Sequence, residues 1–170
     1  MRPGDSKRLK IELKIEGSNA LQIGNHQSTI INCMIRLART IHFNAGRSLW
    51  RADWPAAKNL AVYGPEGPHG YGHNYALEVA VEGEIDPETS MVVNLSDLDR
   101  ILKEEVDAPL DHRNLNRDVP EFAGIPPTAE NLAAWIWKRI GARIAREAWP
   151  CRLVHLRLRL TPGFAVEIEG

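Results

Sequence analysis

The sequence predicts an α+β fold, an antiparallel four-stranded sheet with two helices on one face. Four stretches alternate apolar and polar residues with the period of a half-exposed strand, and two stretches space apolar residues helically. The two helical stretches follow one another between the second and third strands. That segregation gives the order strand, strand, helix, helix, strand, strand, and separates it from the alternating βαβ pattern of a parallel sheet.

The first strand is predicted over Leu37 to Ala45. Trp50 to Pro68 is punctuated by proline and glycine and reads as a long loop. In the second strand, Tyr75 to Val81, the residues Tyr75, Leu77, Val79 and Val81 share one face while Glu78 lies on the other. After the Asp86-Pro87-Glu88 turn, Met91-Val92-Val93 is expected to be a short extended continuation. Ser96 is the predicted N-cap of the first helix, with Asp99 as its reciprocal partner, and Leu95, Leu98, Ile101, Leu102 and Val106 form its apolar stripe. Thr128 is the predicted N-cap of the second, followed by Glu130 in the first turn and a stripe of Leu132, Trp135, Ile136, Ile140 and Ile144. Leu153 to Leu160 and Phe164 to Ile168 are the last two strands, joined by Thr161-Pro162-Gly163 as a hairpin. Residues 1–33 stand apart. Lys10 to Glu16 alternates like a strand, so the segment reads either as an extra edge strand or arm, or as a stretch upstream of a true start at Met34.

A chain of 170 residues is most simply one main domain. Its 21 basic and 22 acidic residues leave a formal charge of −1, which argues against nucleic acid or a membrane surface as partner. No apolar run approaches the roughly 20 residues of a membrane span, and the polar start has no signal-like apolar stretch, so a cytoplasmic location is expected. Cys33 and Cys151 fit no metal-ligand spacing and are expected as reduced thiols.

The chemistry-bearing residues fall in four motifs. They are Phe43-Asn44-Ala45-Gly46-Arg47-Ser48-Leu49, Gly70-Tyr71-Gly72-His73-Asn74-Tyr75, Leu110-Asp111-His112-Arg113-Asn114-Leu115-Asn116 and Pro127-Thr128-Ala129-Glu130-Asn131-Leu132-Ala133. In this order, from about Met34 to Gly170, they resemble the 6-pyruvoyl/6-carboxytetrahydropterin synthases. The resemblance implies the tunnelling fold, or T-fold, and assembly of like subunits into trimers or hexamers with active sites between them. It also implies zinc-assisted lyase chemistry on dihydroneopterin triphosphate, in pterin and deazapurine-precursor biosynthesis.

Carried over position by position, the family's first two zinc histidines fall on Arg47 and Tyr71, and only the third is kept, as His73. The catalytic cysteine has no counterpart in Val62 to His69, and the pterin-binding carboxylate falls on Leu160. Asp111, His112 and Thr128 match. Because a zinc site wants three protein donors and a guanidinium cannot ligate a cation, the expectation is a degenerate site without cofactor.

Read by their own chemistry, these residues leave alternatives open. Arg47 can bind a phosphate or carboxylate bidentately, with Tyr71, His73 and Glu66 around it, or can fill a defunct cavity as an ion pair with Glu66 or Glu130. Asp111 and His112 form a general acid/base unit or a structural turn. His69 and His73 could share an ion only if the glycines fold the loop back. Trp137 suits an interface, and Arg139, Arg143 and Arg146 a solvated helix face. The expected partner is an anionic or pterin-like small molecule, acted on without metal using Arg47, Tyr71, His73, Asp111 and His112. The other reading is a non-catalytic subunit assembling with itself or an active paralogue.

Overall fold

β1 (Ile35–Arg47) and β2 (Tyr71–Gly83) run further than their alternation predicts and pair antiparallel throughout, from Ile35 opposite Gly83 to Arg47 opposite Tyr71. The computed structural model describes residues 33–170, so the Lys10 to Glu16 strand and the nature of the 1–33 extension lie outside the described residues. β2 pairs with β4 (Cys151–Thr161), and β4 with β5 (Phe164–Glu169), both antiparallel. A two-residue β3 (Arg113–Asn114) lies parallel to β1, giving the order β3-β1-β2-β4-β5. The sheet is therefore five-stranded and mixed. Two residues carry no readable alternation, and β3 exists because Asp111 and His112 bind the β1 backbone.

One face of the sheet builds the core. Phe43, Tyr75, Leu77, Val79, Leu156 and Leu158 pack against Leu98, Ile101 and Leu102 of α2 (Leu95–Leu102) and the Leu132, Ile136, Ile140 and Ile144 stripe of α5 (Ala129–Glu147). Those helix residues belong to the predicted stripes; of the others, Val106 is buried in the turn after α2, Trp135 is partly buried, and Leu95 is corrected to an exposed position. The opposite face of β1, β2 and β4 carries exposed His42, Asn44, Asn74, Arg157 and Arg159. Cys33 and Cys151 are free thiols.

Several local expectations are corrected. Within the expected loop lies α1 (Ala56–Tyr63), which buries only Asn59. That side chain accepts from Arg51 N (2.8 Å) and donates to the Arg51 and Trp54 carbonyls, so polar bonds hold α1 where an apolar stripe would have announced it. Asn94, not Ser96, caps α2, accepting from Ser96 N, and Asp99 pairs with Arg39 at 2.7 Å. Met91 to Val93 forms no strand. After α2 the chain makes a π turn (Lys103–Asp107) and the short α3 (Ala108–Leu110), with α4 (Leu115–Asp118) beyond β3. The π turn buries Glu105 against α5, where it meets Arg139 at 2.7 Å and Arg143 at 3.3 Å. On the basic side of α5, Arg139 and Arg143 thus form an ion-paired seam, while Arg146 stays largely solvated. Thr128 caps α5 as predicted, accepting from Asn131 N.

Candidate functional site

Antiparallel register places cross-strand partners on the same face. Arg47 and Tyr71 are directly opposite, as are Ala45 and His73, and Phe43 and Tyr75, all on the core face near the ends of β1 and β2. Phe43 and Tyr75 stack at 4.8 Å, and His73 stands edge-on to Tyr75 at 5.5 Å and to Tyr71 at 5.3 Å. The small Ala45 leaves room for this ring cluster. The Arg47 guanidinium carbon lies 5.6 Å from the Tyr71 ring centroid, a cation–π arrangement.

Arg47 is 5% exposed. Its Nη1 donates to the Pro127 carbonyl at 2.7 Å, just before the Thr128 cap, which ties the end of β1 to the start of α5. Neither Glu66 nor Glu130 pairs with it; both are exposed. Arg47 Nε, His73 Nε2 and the Tyr75 hydroxyl are buried with no described hydrogen-bond partner. Burial, then the nearby Arg47 charge, holds the His73 imidazole below its ordinary pKa, so it stays neutral. Burial also raises the Tyr75 phenol. Three unpaired polar groups gathered in one buried spot are unusual, since each costs about 1–3 kcal/mol.

Asp111 and His112 sit elsewhere, outside the far edge of β1. Asp111 Oδ1 accepts from Asn44 N (2.8 Å) and His112 N donates to Asn44 O (2.6 Å), so the pair brackets one β1 residue. The other carboxylate oxygen holds His112 Nδ1 at 2.7 Å, which leaves Nε2 outward on an exposed ring. Chiefly the Asn44 amide, and also His112, hold the Asp111 carboxyl below the usual range. The pair forms a structural turn at the β1 edge, and the same carboxylate orients the His112 imidazole.

Arg47, Tyr71 and His73 are therefore brought together, with Thr128 adjacent through Pro127, while His112 is on the cavity side of the sheet with Asn44. His69 ends a 3-10 turn (Gly67–His69), is exposed, and does not join His73 in a cluster. Sequence reasoning missed Tyr75, although its spacing of two from His73 puts it on the same face. It also missed Pro127, whose carbonyl no pattern could mark.

The family model of 6-pyruvoyl tetrahydropterin synthase matches residues 36–170. The chain belongs to the 6-pyruvoyl tetrahydropterin synthase family. Human 6-pyruvoyl tetrahydrobiopterin synthase is 43% identical over 109 residues, 64% of this chain and 75% of that protein. A Pyrococcus furiosus protein named dihydroneopterin monophosphate aldolase is 37% identical over 125 residues, covering 72% of this chain and 96% of that one. The solved structure of the Caenorhabditis elegans 6-pyruvoyl tetrahydropterin synthase matches with a TM-score of 0.74 at 27% identity, over 82% of this chain and 97% of that one. The α+β fold of the family is thus shared.

Zinc, which the family resemblance implies, needs three donors and an open position. The converging side chains here offer one imidazole nitrogen beside a fixed cation, and among the described residues no three His, Cys, Asp or Glu side chains come together. The donor set of a single chain does not fit the metal.

Proposed function

We propose that this member of a family tied to pterin biosynthesis does not carry out the parent zinc-dependent reaction. It binds an anionic, pterin-like small molecule without metal. The observation that carries the reading is Arg47, a buried guanidinium at the position of the family's first metal ligand, anchored through Nη1 to Pro127 and unpaired at Nε. The free Nε–Nη2 edge of a guanidinium matches a carboxylate or phosphate group bidentately. Tyr71 lies against that cation, and Leu160 offers the ligand no acceptor.

Asp111 and His112 supply the proton carrier in this reading. They lie apart from Arg47 within one chain, so a working site needs His112 from a neighbouring subunit, in keeping with the assembly the family resemblance implies. The relative named as an aldolase acting on dihydroneopterin monophosphate supports the idea that this scaffold hosts more than one reaction. The second reading, a non-catalytic subunit, draws on the closed burial of Arg47 Nε, His73 Nε2 and the Tyr75 hydroxyl.

The deciding experiment pairs metal analysis of the purified protein with turnover of dihydroneopterin triphosphate. Substoichiometric zinc and no product are expected. Stoichiometric zinc with product overturns both readings. A carboxylate or phosphate ligand whose binding fails in Arg47→Met favours the first, and no ligand at all favours the second.

A further inference from the structure

The helical stretch leading into Asp111 and His112 is interrupted for a reason written in the sequence. Pro109 has no N–H to offer the carbonyl four residues back, and its ring crowds that carbonyl, which belongs to Glu105. The chain widens there into the π turn, closed by a bond from Ala108 N to Lys103 O. The wider turn also suits the packing. Leu98, Leu102, Val106 and Leu110 repeat every fourth residue, a spacing that drifts by about 40° per step around a regular helix, yet all four are fully buried.

The Glu105 groups are taken up by α5. Arg139 Nε donates to the backbone carbonyl at 3.2 Å, and Arg139 Nη2 meets one carboxylate oxygen at 2.7 Å. Arg143 Nη1 lies 3.3 Å from the other oxygen, with the more exposed Arg146 at 3.5 Å. Glu105 is buried, whereas Glu104 and Glu147, which share Arg143, are more exposed. Downstream, Asp111 N donates at 2.8 Å to the carbonyl of Asp107, the last residue of the π turn. Asp111 and His112 then bond to Asn44 of β1. One helix thus steadies both parts of the candidate site: α5 holds Arg47 through the Pro127 carbonyl before its N-cap, and the approach to Asp111 and His112 through Arg139.

We infer that Glu105 is a positioning residue: its bonds to α5 hold the π turn in the register that carries Asp111 and His112 to Asn44. It touches no ligand and acts through the pair. In a regular helix the residues beyond the turn would be out of phase by one position, about 100°, and the Asp111 carboxylate would leave the Asn44 amide. This rests on the metal-free reading for the use of the imidazole, and on the bonds alone for its placement.

The test follows two reporters by NMR in the full-length protein: hydrogen exchange at the Asn44 amide and titration of the Asp111 carboxyl. The Asn44 amide, and then His112, hold that carboxyl below the usual range, so losing them returns it upward. Glu105→Gln removes the charge and keeps the size. Arg139→Lys keeps the charge and loses the planar fork that reaches carbonyl and carboxylate together. In both variants, exchange at Asn44 is expected to quicken about tenfold and the Asp111 titration to move up. Glu147→Gln removes an acid of the same seam that meets only Arg100 and Arg143, so any fall in its melting temperature comes without movement of either reporter. Neither reporter needs a ligand or turnover, so the positioning role is decided even if the protein binds nothing. Unchanged reporters in a folded Glu105→Gln or Arg139→Lys, or equal movement in Glu147→Gln, overturn the inference.

Discussion

Tyr75→Phe tests the buried polar cluster directly. The tyrosine is fully buried, its ring stacks on Phe43, and its hydroxyl has no described partner. Removing the oxygen keeps the ring and its stacking. It deletes a desolvated hydroxyl, whose burial without a hydrogen bond costs about 1–3 kcal/mol in proteins. The gap left by one oxygen returns a few tenths of that as lost contacts. A net stabilisation of about 1–2 kcal/mol follows, which raises the melting temperature by roughly 3–8 °C for a domain of this size. Urea unfolding followed by tryptophan fluorescence, at fixed protein concentration because assembly shifts apparent stability, reads the difference. A destabilisation of 1 kcal/mol or more refutes the reasoning, since it means the hydroxyl is hydrogen-bonded in the folded protein. A gain in stability with a loss of ligand affinity identifies the cluster as a site kept at the expense of stability.

Three further outcomes follow from the same region. Arg47→His combined with Tyr71→His places three imidazoles on one face with His73, and this variant is expected to hold one zinc per chain after dialysis where the parent holds none; failure to take up metal speaks against that face as the ancestral metal position. His73 titrates lower folded than unfolded, where its pKa is about 6.5, so the unfolded chain binds more protons as pH falls below that value. Its contribution to stability is complete above pH 6.5 and is lost on acidification towards the folded value, and urea midpoints between pH 7 and 5 should drop less steeply in His73→Gln. Asp111→Asn replaces the carboxylate that accepts from Asn44 N, and hydrogen exchange at that amide should quicken while the β1–β2 amides facing the other way stay protected.

How far the sequence reveals this fold depends on where the information lies. The core faces of β1, β2, β4, α2 and α5 were legible because burial on one side imposes a period that one chain displays by itself. α1 was not, because its anchor is Asn59 bonding to loop carbonyls, and an isolated asparagine among alanines carries no period. The N-cap lies at Asn94 and not Ser96 because two good capping residues stand two positions apart, and the sequence does not say which of them caps the helix. In the site, Arg47, Tyr71 and His73 were readable as one group from the family's motifs and not from strand parity, since all three lie beyond the predicted strands. The Pro127 carbonyl, 80 residues from Arg47 in sequence, was not, because any residue offers the same backbone oxygen.

The bracket around Asn44 separates two residues that motif matching treats as one. Asp111 supports the strand edge whatever the protein does, so selection for a folded β1 alone retains it in a descendant that has lost all chemistry. His112 has no such protection. Its φ of 57° lies in the left-handed region, where a residue with a Cβ is strained by about 1–2 kcal/mol and asparagine or glycine is better suited. Drift should therefore erase the imidazole soon after its ring falls out of use while leaving the aspartate untouched. The residue at position 112, and not the one at 111, is therefore expected to record whether the ring is still employed.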